Sequence, residues 1–233
     1  MRLVLASASP RRAELLAAAG FTFEVLAVDL DERVRPGEAP ADYVRRLAAE
    51  KSARAFELLE GSVKEGSRAS EARFAEEEAR LAERGSRARE ARLAEEGHNP
   101  GGVTFQSSEI VVLGADTAVV VGGEILGKPA HDGDAERMLR LLSGRAHDVM
   151  TGISLRSAAG EVGGIDTTTV WFARLSPDDI AGYVARGEGR GKAGAYAIQG
   201  FASRFIPRIE GSYANVVGLP ITLVSEALKR GSG

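Results

Sequence analysis

The segment LVLASASPRRAELLAAAG, residues 3–20, decides the fold because it contains a complete strand-to-helix unit. The apolar run LVL is typical of a buried strand. Ser9 followed by Pro10 has the form of a helix N-cap with proline at the first helical position, and Gly20 is a typical helix stop. The segment therefore predicts a strand that leads directly into a helix, with small residues at the junction.

Two cations stand in the first turn of this predicted helix, where unpaired N–H groups and the helix dipole already carry positive partial charge. Arg11 and Arg12 should each cost about 0.3–1 kcal/mol there. A bound phosphate would offset that cost, because the small residues at 6–9 let it approach backbone donors while the arginines contact its oxygens. The chain has 25 arginines against 5 lysines, so ordinary surface arginines explain the pair equally well at this stage.

Composition restricts the classes of protein that the chain can represent. With 233 residues, 44% of them hydrophobic, it is long enough for one sizeable core, and its net charge of -3 gives no general field for a nucleic-acid polymer. The absence of cysteine excludes disulfides and a cysteine nucleophile. No stretch is apolar and long enough for a signal peptide or a membrane span. We expect a cytoplasmic protein without nucleic-acid or membrane partners.

Predicted strands and helices alternate along the chain. FTFEVLAVD (21–29) reads as a strand, residues 41–59 as a helix, and IVVL, AVVV and EIL as further strands, with a hairpin at Gly122 and Gly123. Later segments predict strands over 149–155 and 166–173 and a helix beginning at Ser176. The pattern indicates an α/β fold with a mixed sheet flanked by helices, in a single domain over 1–233.

One segment departs from this pattern. Residues 62–107 are an insertion within the predicted domain, and its core, 65–97, is almost entirely Glu, Arg, Ala, Ser and Gly. We interpret it as a charged helical arm or a partly disordered hairpin, with partner binding as the weaker alternative.

Acidic side chains occur at two places where a charge needs a partner. Asp116 interrupts the apolar stretch VVLGADTAVVV, where a nearly buried carboxylate would require a cation, a metal ion or hydrogen-bond donors. A turn capped by Asp116 is the alternative, since Gly114 and Thr117 are good turn formers. Glu32 ends an acidic group after the second predicted strand, and such groups are most often solvated. Together the two carboxylates would offer the oxygen ligands that Mg²⁺ takes beside phosphates.

A third stretch, GKAGAYAIQGFASRF (191–205), leaves space around the long side chains of Lys192, Tyr196 and Gln199. It is not a Walker loop, because Ala193 stands where Ser or Thr is required. No serine-hydrolase elbow or H-E-x-x-H zinc motif is present in the sequence. We expect the three histidines, His98, His131 and His147, to lie on the surface.

The segments ASASPRR, GADT, GKP and KAGAYAIQG, in this order, resemble the Maf family of nucleoside triphosphate pyrophosphatases. The resemblance covers nearly the whole chain outside the insertion. It implies an elongated central sheet, related to that of the inosine triphosphate pyrophosphatases, and often a homodimer. It also implies cleavage of a nucleoside triphosphate substrate between the α and β phosphates, with a divalent cation, Mg²⁺ or Mn²⁺, as cofactor.

The resemblance assigns roles to ten residues, all numbered in this chain. Asp116 matches the family's proton acceptor, and Glu32 with Asp116 would hold the metal. The positions that match phosphate ligands are Ser7, Arg12, Lys51, Lys128 and Lys192. Those associated with substrate choice are Arg11, Thr117 and Gln199.

The last three positions resemble the branch that acts on dTTP and UTP. The branch acting on 7-methyl-GTP resembles SPWRR and GSDQ, with a glutamate in place of Gln199. A glutamine amide can donate to O4 of a pyrimidine and accept from its N3–H, whereas a carboxylate cannot donate. A nucleotide-binding regulator of cell division without turnover is the competing hypothesis, and the intact Asp116, Glu32 and lysines favour the enzyme.

Overall fold

The computed structural model describes residues 1–61 and 110–231, and in these the predicted α/β fold is present. A seven-stranded mixed sheet has the strand order β2-β1-β3-β5-β6-β7, and β4 pairs separately with β3. The strands are β1 (Arg2–Ala6), β2 (Phe23–Val25), β3 (Ile110–Val121), β4 (Glu124–Leu126), β5 (Ala146–Ser157), β6 (Gly160–Trp171) and β7 (Arg208–Glu210).

Helices connect the strands and cover the sheet. The helices are α1 (Pro10–Ala18), α2 (40–61), α3 (Asp132–Leu142), α4 (Pro177–Ala185), α5 (Tyr213–Val217) and α6 (Ile221–Gly231). One apolar cluster packs α1 and α6 against β1 and the first half of β3, and a second packs α3 and α4 against the far ends of β3, β5 and β6. Both clusters use the odd-numbered residues of β3 and so lie on one face of the sheet, and α2 packs on the other face against Ala118.

The opening segment folds into the predicted strand and helix. Gly20, with φ +80°, adopts the left-handed conformation that ends α1. Ser9 has the extended backbone of an N-cap, but its side chain makes no capping hydrogen bond. Ser7 Oγ instead accepts from the backbone N–H of Ser9 at 3.2 Å. The start of α1 is therefore organised by Ser7 rather than by the predicted cap.

Strand β3 extends beyond the end of its neighbour β1, which creates an open edge. β1 pairs in parallel with β3 only as far as Ala6, opposite Gly114, and β4 begins to pair with the same edge at Val119. Residues 115–118 of β3 therefore lack a strand partner on this side. Ligands of α/β sheets commonly bind outside the carboxyl ends of parallel strands, so this notch is the expected place for a site.

Two glycines let helix α2 lie directly on the sheet. A Cβ at Gly114 would come within 2.1 Å of Ala48 O, and a Cβ at Gly152 within 2.4 Å of Val44 O. Neither contact is compatible with a side chain, so both positions require glycine. This close approach brings Lys51, one turn further along α2, beside β3.

The structure corrects several sequence-based expectations. The strand predicted over 21–29 is only the three residues of β2, because β1 ends at Ala6 and offers no partner beyond Leu5. The turn considered at Asp116 is wrong: Asp116 lies within β3, opposite Gly152. His147 was expected on the surface but is buried in β5, 3% exposed. His131 caps α3 and is exposed, whereas His98 lies outside the described residues.

Some expectations are not tested by the fold. The site discussed below lies within one compact unit formed by Met1–Ala55 and Glu109–Gly233. The insertion predicted at 62–107, with its core at 65–97, lies outside the described residues, so its interpretation and the single-domain assignment stay predictions. In the described ranges, no helix has both the length and the apolar character needed to span a membrane.

Candidate active site

A cavity of roughly 890 Å³ opens at the notch where β1 ends and β3 continues. Its volume is in the range of small-molecule sites in proteins. All ten candidate residues from the sequence line it: Ser7, Arg11, Arg12, Glu32, Lys51, Asp116, Thr117, Lys128, Lys192 and Gln199. The sequence motifs, which are far apart along the chain, therefore meet at one place.

A chain of alternating charges lies on the α2 side of β3. Lys51 Nζ donates to Asp116 Oδ1 and to Glu32 Oε1, both at 2.7 Å. Lys128 Nζ donates to the other oxygen of Glu32 at 2.6 Å. We call Asp116, Lys51, Glu32 and Lys128 the ionic chain. Two ammonium groups thus balance two carboxylates in the cavity, and Lys51 bridges the two carboxylates.

Burial explains why Asp116 needs this partner. Its side chain is 9% exposed, and that of Lys51 is also 9% exposed. A charge removed from water at this depth is strongly destabilising unless it is paired and hydrogen-bonded. The glycine-mediated contact of α2 with the sheet supplies the pair by placing Lys51 against β3. Among the described residues, Asp116 Oδ2 accepts no hydrogen bond and remains available to a ligand or a water molecule.

The loop that carries Glu32 is held by a residue that the sequence did not single out. Tyr43, on α2, donates its hydroxyl to the backbone oxygen of Glu32 at 3.0 Å. Burial raises the pKa of Tyr43, and the charges of Asp116 and Glu32 raise it further, so the hydroxyl stays protonated and can donate. Burial also acts to raise the pKa of the Glu32 carboxyl, but hydrogen bonds from Lys128 and Lys51 outweigh this effect and lower the pKa to about 2.

Arg12 lies on the opposite face of β3, and the protein itself accepts most of its hydrogen bonds. Its Nε donates to Gly218 O at 2.8 Å, and its Nη1 donates to Ala115 O at 2.8 Å and to Ser7 Oγ at 3.3 Å. Nη2 donates to Thr117 Oγ1 at 3.0 Å. A guanidinium has five N–H donors, so one N–H of Nη2 is left for a ligand. The sequence suggested that the guanidinium of Arg12 would contact phosphate oxygens with several N–H groups. In the structure, Arg12 has only one N–H left for a ligand.

Arg11, the neighbouring arginine, differs from Arg12 in its hydrogen bonding. Its guanidinium is half-buried, burial lowers its pKa, and within residues 1–61 and 110–231 it makes no hydrogen bond or ion pair. Lys192 is also partly buried, and its pKa is lowered by burial and by the positive charge of Arg11. Each of these two positive charges makes the other less favourable, so an anion bound between them would be stabilised.

The loop that carries Lys192 and Gln199 is fixed by Glu188. The Glu188 carboxylate accepts from the backbone N–H of Phe201 at 2.8 Å, and its backbone oxygen accepts from Lys192 Nζ. A Cβ at Gly200 would lie 2.4 Å from this carboxylate, so a larger residue there would displace the Glu188 side chain from its present position. Gln199, between these anchors, is exposed to the cavity.

Comparison with known proteins agrees with this geometry. A family model described as "Maf: Maf-like protein" matches residues 2–231. The chain belongs to the Maf family. The match includes both strands and loops that form the notch, so the cavity is built from the part of the chain that defines the family.

Individual Maf relatives cover nearly the whole chain. A protein of Hahella chejuensis named dTTP/UTP pyrophosphatase is 42% identical over 220 residues, which are 94% of this chain and 87% of the relative. Proteins of the same name from Anaeromyxobacter dehalogenans and Shewanella oneidensis are each 42% identical. The first covers 98% of this chain and 93% of its own length, and the second covers 97% and 98%.

The Maf cavity has a donor set that suits a divalent cation shared with phosphates. In the described residues, no group of three or more His, Cys, Asp or Glu side chains could hold a metal ion by itself. Mg²⁺, however, typically takes one or two carboxylates and completes its shell with water and phosphate oxygens. Glu32 and Asp116 converge on one cation, Lys51 Nζ, which shows that this point of the cavity attracts positive charge.

Proposed function

We propose that the protein hydrolyses dTTP and UTP to the nucleoside monophosphate and pyrophosphate. The observation that carries the proposal is the cavity in which the ionic chain lies together with Arg11, which has no partner in the part of the chain that the structure describes. The names of the Maf relatives support the same activity and substrates. Maf membership also supports the enzyme over a regulator without turnover, which no feature of the site favours.

In the proposed reaction, Asp116 accepts the proton of the attacking water. Its Oδ1 is held by Lys51, whereas Oδ2 accepts no hydrogen bond from the described residues. The oxygen of the water bonds to the α-phosphorus, the bond between that phosphorus and the bridging oxygen breaks, and pyrophosphate leaves. The proton lost by the water passes to the carboxylate.

The remaining polar groups would bind the triphosphate. Ser7 Oγ accepts from Ser9 N and from Arg12 Nη1, so its own hydrogen is free to donate to a phosphate oxygen. Lys128, whose side chain is 60% exposed, can turn from Glu32 to the pyrophosphate group. Lys192 and the last N–H of Arg12 complete this set. These donors would stabilise the negative charge that develops on the leaving group.

Glu32 and Asp116 would hold the divalent cation, Mg²⁺ or Mn²⁺. When bound, the cation would neutralise charge on the phosphate oxygens and make the phosphorus easier to attack. Arg11, Thr117 and Gln199 would select the base. A homodimeric state and a cytoplasmic location stay predictions from the sequence.

Product analysis tests the proposed function directly. Purified protein is incubated with a panel of nucleoside triphosphates and Mg²⁺ or Mn²⁺, and the phosphorus products are identified by ³¹P spectroscopy. We expect dTMP or UMP with pyrophosphate, and no turnover when the cations are chelated. Formation of orthophosphate and a nucleoside diphosphate would contradict attack at the α-phosphorus. Lack of turnover with every pyrimidine triphosphate would contradict the function itself.

A further inference from the structure

Two threonine hydroxyls lie directly opposite each other on β3 and β5. Thr117 lines the cavity, and Thr151, its partner in the β3–β5 ladder, is fully buried behind it. Their Oγ1 atoms are 3.0 Å apart. Thr151 Oγ1 also lies 3.3 Å from Asn215 O, and Thr117 Oγ1 lies 3.4 Å from Gly218 O.

The neighbours of the two hydroxyls favour one direction for their hydrogen bonds. A carbonyl oxygen can only accept, so Thr151 donates its hydrogen to Asn215 O. Thr151 then has no hydrogen left for Thr117, so the 3.0 Å contact between the hydroxyls is a hydrogen bond only if Thr117 donates. The other acceptor near Thr117, Gly218 O, is farther away at 3.4 Å and already accepts from Arg12 Nε at 2.8 Å. A guanidinium can only donate, so Arg12 takes one lone pair of Thr117.

This arrangement leaves Thr117 with one lone pair for the cavity and no hydrogen. Ser7, across the same cavity, is in the opposite state, because it accepts two hydrogen bonds and keeps its hydrogen. A phosphate oxygen is an acceptor and can bind at Ser7. It finds no donor at Thr117.

We propose that Thr151 is a positioning residue for substrate selection. By accepting the hydrogen of Thr117, it turns that hydroxyl into an acceptor toward the cavity. Thr117 then binds an N–H or O–H donor of the nucleotide and disfavours an unprotonated ring nitrogen. The buried hydroxyl of Thr151 thereby affects which substrate binds without touching it.

The nucleotide offers two sources for this donor, and the inference rests on the proposed function for both. Thymine and uracil carry an imide N3–H, whereas N3 of cytosine is an acceptor. The sugar carries a 3′-hydroxyl in dTTP and in dCTP alike. Comparing dTTP with dCTP therefore tests the base, and comparing dTTP with its 3′-deoxy analogue tests the sugar.

The experiment measures dissociation constants by calorimetry with divalent cations chelated, so that no turnover is required. The proteins are the wild type, Thr151→Val, Thr151→Ser and Ser154→Ala. Valine removes the hydroxyl at nearly the same volume, and serine restores it. Ser154, on the other face of β5, has a buried hydroxyl bonded to Ser52 Oγ at 2.7 Å and is the matched control.

In Thr151→Val, the hydrogen of Thr117 loses its nearest acceptor and keeps only the 3.4 Å contact with Gly218 O, which Arg12 Nε already occupies at 2.8 Å. The hydrogen can then turn to the cavity and donate to cytosine N3. We expect the preference for dTTP over dCTP to fall about tenfold, the usual effect of one misdirected hydrogen bond. Thr151→Ser and Ser154→Ala should keep the wild-type ratio. If the sugar is the donor, the ratio of dTTP to its 3′-deoxy analogue falls instead.

Two results would overturn the inference. In the first, Thr151→Val leaves both ratios unchanged, so the hydroxyl has no influence on the cavity. In the second, Thr151→Ser changes the ratios as much as valine does, so packing rather than hydrogen bonding is responsible. Failure of the proposed function is seen separately, as absence of pyrophosphate release by a wild-type protein that still binds dTTP.

Discussion

The two faces of β3 at Asp116 and Thr117 differ although the residues are adjacent. On the Asp116 face, the ionic chain joins side chains to side chains, and its outer member, Lys128, is largely exposed. On the Thr117 face, Arg12 is buried and bonds mainly to backbone carbonyls and hydroxyls. The first face can exchange its partners for a ligand, whereas the second is fixed by the fold.

This difference separates two uses of positive charge in one cavity. A lysine that pairs with carboxylates can release them when a phosphate or a metal ion arrives. An arginine that satisfies buried carbonyls cannot move without leaving those carbonyls unpaired. The sequence motif SPRR contains both kinds of arginine side by side: Arg11 has no partner among the described residues, and Arg12 has four.

The largest effect should come from removing the guanidinium of Arg12, on the Thr117 face of β3. Arg12→Met leaves Ala115 O and Gly218 O without their donor, and we expect the free energy of unfolding to fall by about 3 kcal/mol. Arg11→Met is the control and should change it by less than about 0.5 kcal/mol. Urea denaturation measures both variants. Equal stability of the two would show that Arg12 is not structural.

Asp116→Asn removes the buried carboxylate of the ionic chain, which is the proposed proton acceptor. The amide cannot accept a proton from water, so kcat should fall at least ~100-fold. Lys51 keeps Glu32 as a partner, so the variant should still fold. Pyrophosphate release from dTTP measures the loss. Asp148→Asn, which alters a carboxylate bonded to Thr169 outside the cavity, should keep normal kcat. Normal turnover by Asp116→Asn would place the proton acceptor elsewhere.

The dependence of stability on pH should come mainly from His147, which is not part of the ionic chain. Burial lowers the pKa of His147 to about 4, against about 6.5 in an unfolded chain. The unfolded state therefore takes up a proton below pH 6.5, and stability should fall by about 2 kcal/mol between pH 7 and pH 5. His147→Gln should remove most of this slope. Glu32, with a pKa of about 2, contributes only at lower pH.

Gln199→Glu changes a residue that belongs to neither face of β3. The carboxylate cannot donate to O4 of the pyrimidine, so kcat/KM for dTTP should fall about tenfold. Pyrophosphate should remain the product, because the base is remote from the bond that breaks. An unchanged ranking of dTTP, UTP and dCTP would mean that Gln199 does not contact the base.

The smallest effect is expected from the insertion. All ten candidate residues belong to 1–61 and 110–231, so a Gly/Ser linker in place of 65–97 should change kcat/KM for dTTP by less than about threefold. A loss of more than tenfold in a folded deletion variant would show that the segment takes part in the reaction or in assembly.

The sequence predicted which residues share the cavity but not how they bond. Motifs of polar residues in a fixed order identified the ten candidates. The partners of Arg12, in contrast, are carbonyls 103 and 206 residues away, and a backbone oxygen leaves no mark in the sequence. Asp116 was ambiguous because turn-forming neighbours surround it, and pairing with Gly152 made it a strand residue.

The wrong prediction for His147 could have been avoided from the sequence. His147 alternates with Val149 and Thr151 along β5, and all three face the interior. The period of two in this strand would have predicted burial of His147. Glu188 and Tyr43 had no comparable signal, because each acts on the backbone of a loop that only the tertiary structure brings near.

The open edge of β3 has a consequence for association between chains. On its open edge, the stretch 115–118 has no strand partner, although it pairs with β5 on the other side. Such an edge is a template to which a strand of another molecule could add, which is a common route to aggregation. Arg12 donates to Ala115 O from the position where such a strand would lie, and its buried charge repels an apolar strand from the notch. The residue that frames the cavity also protects the chain from unwanted sheet extension.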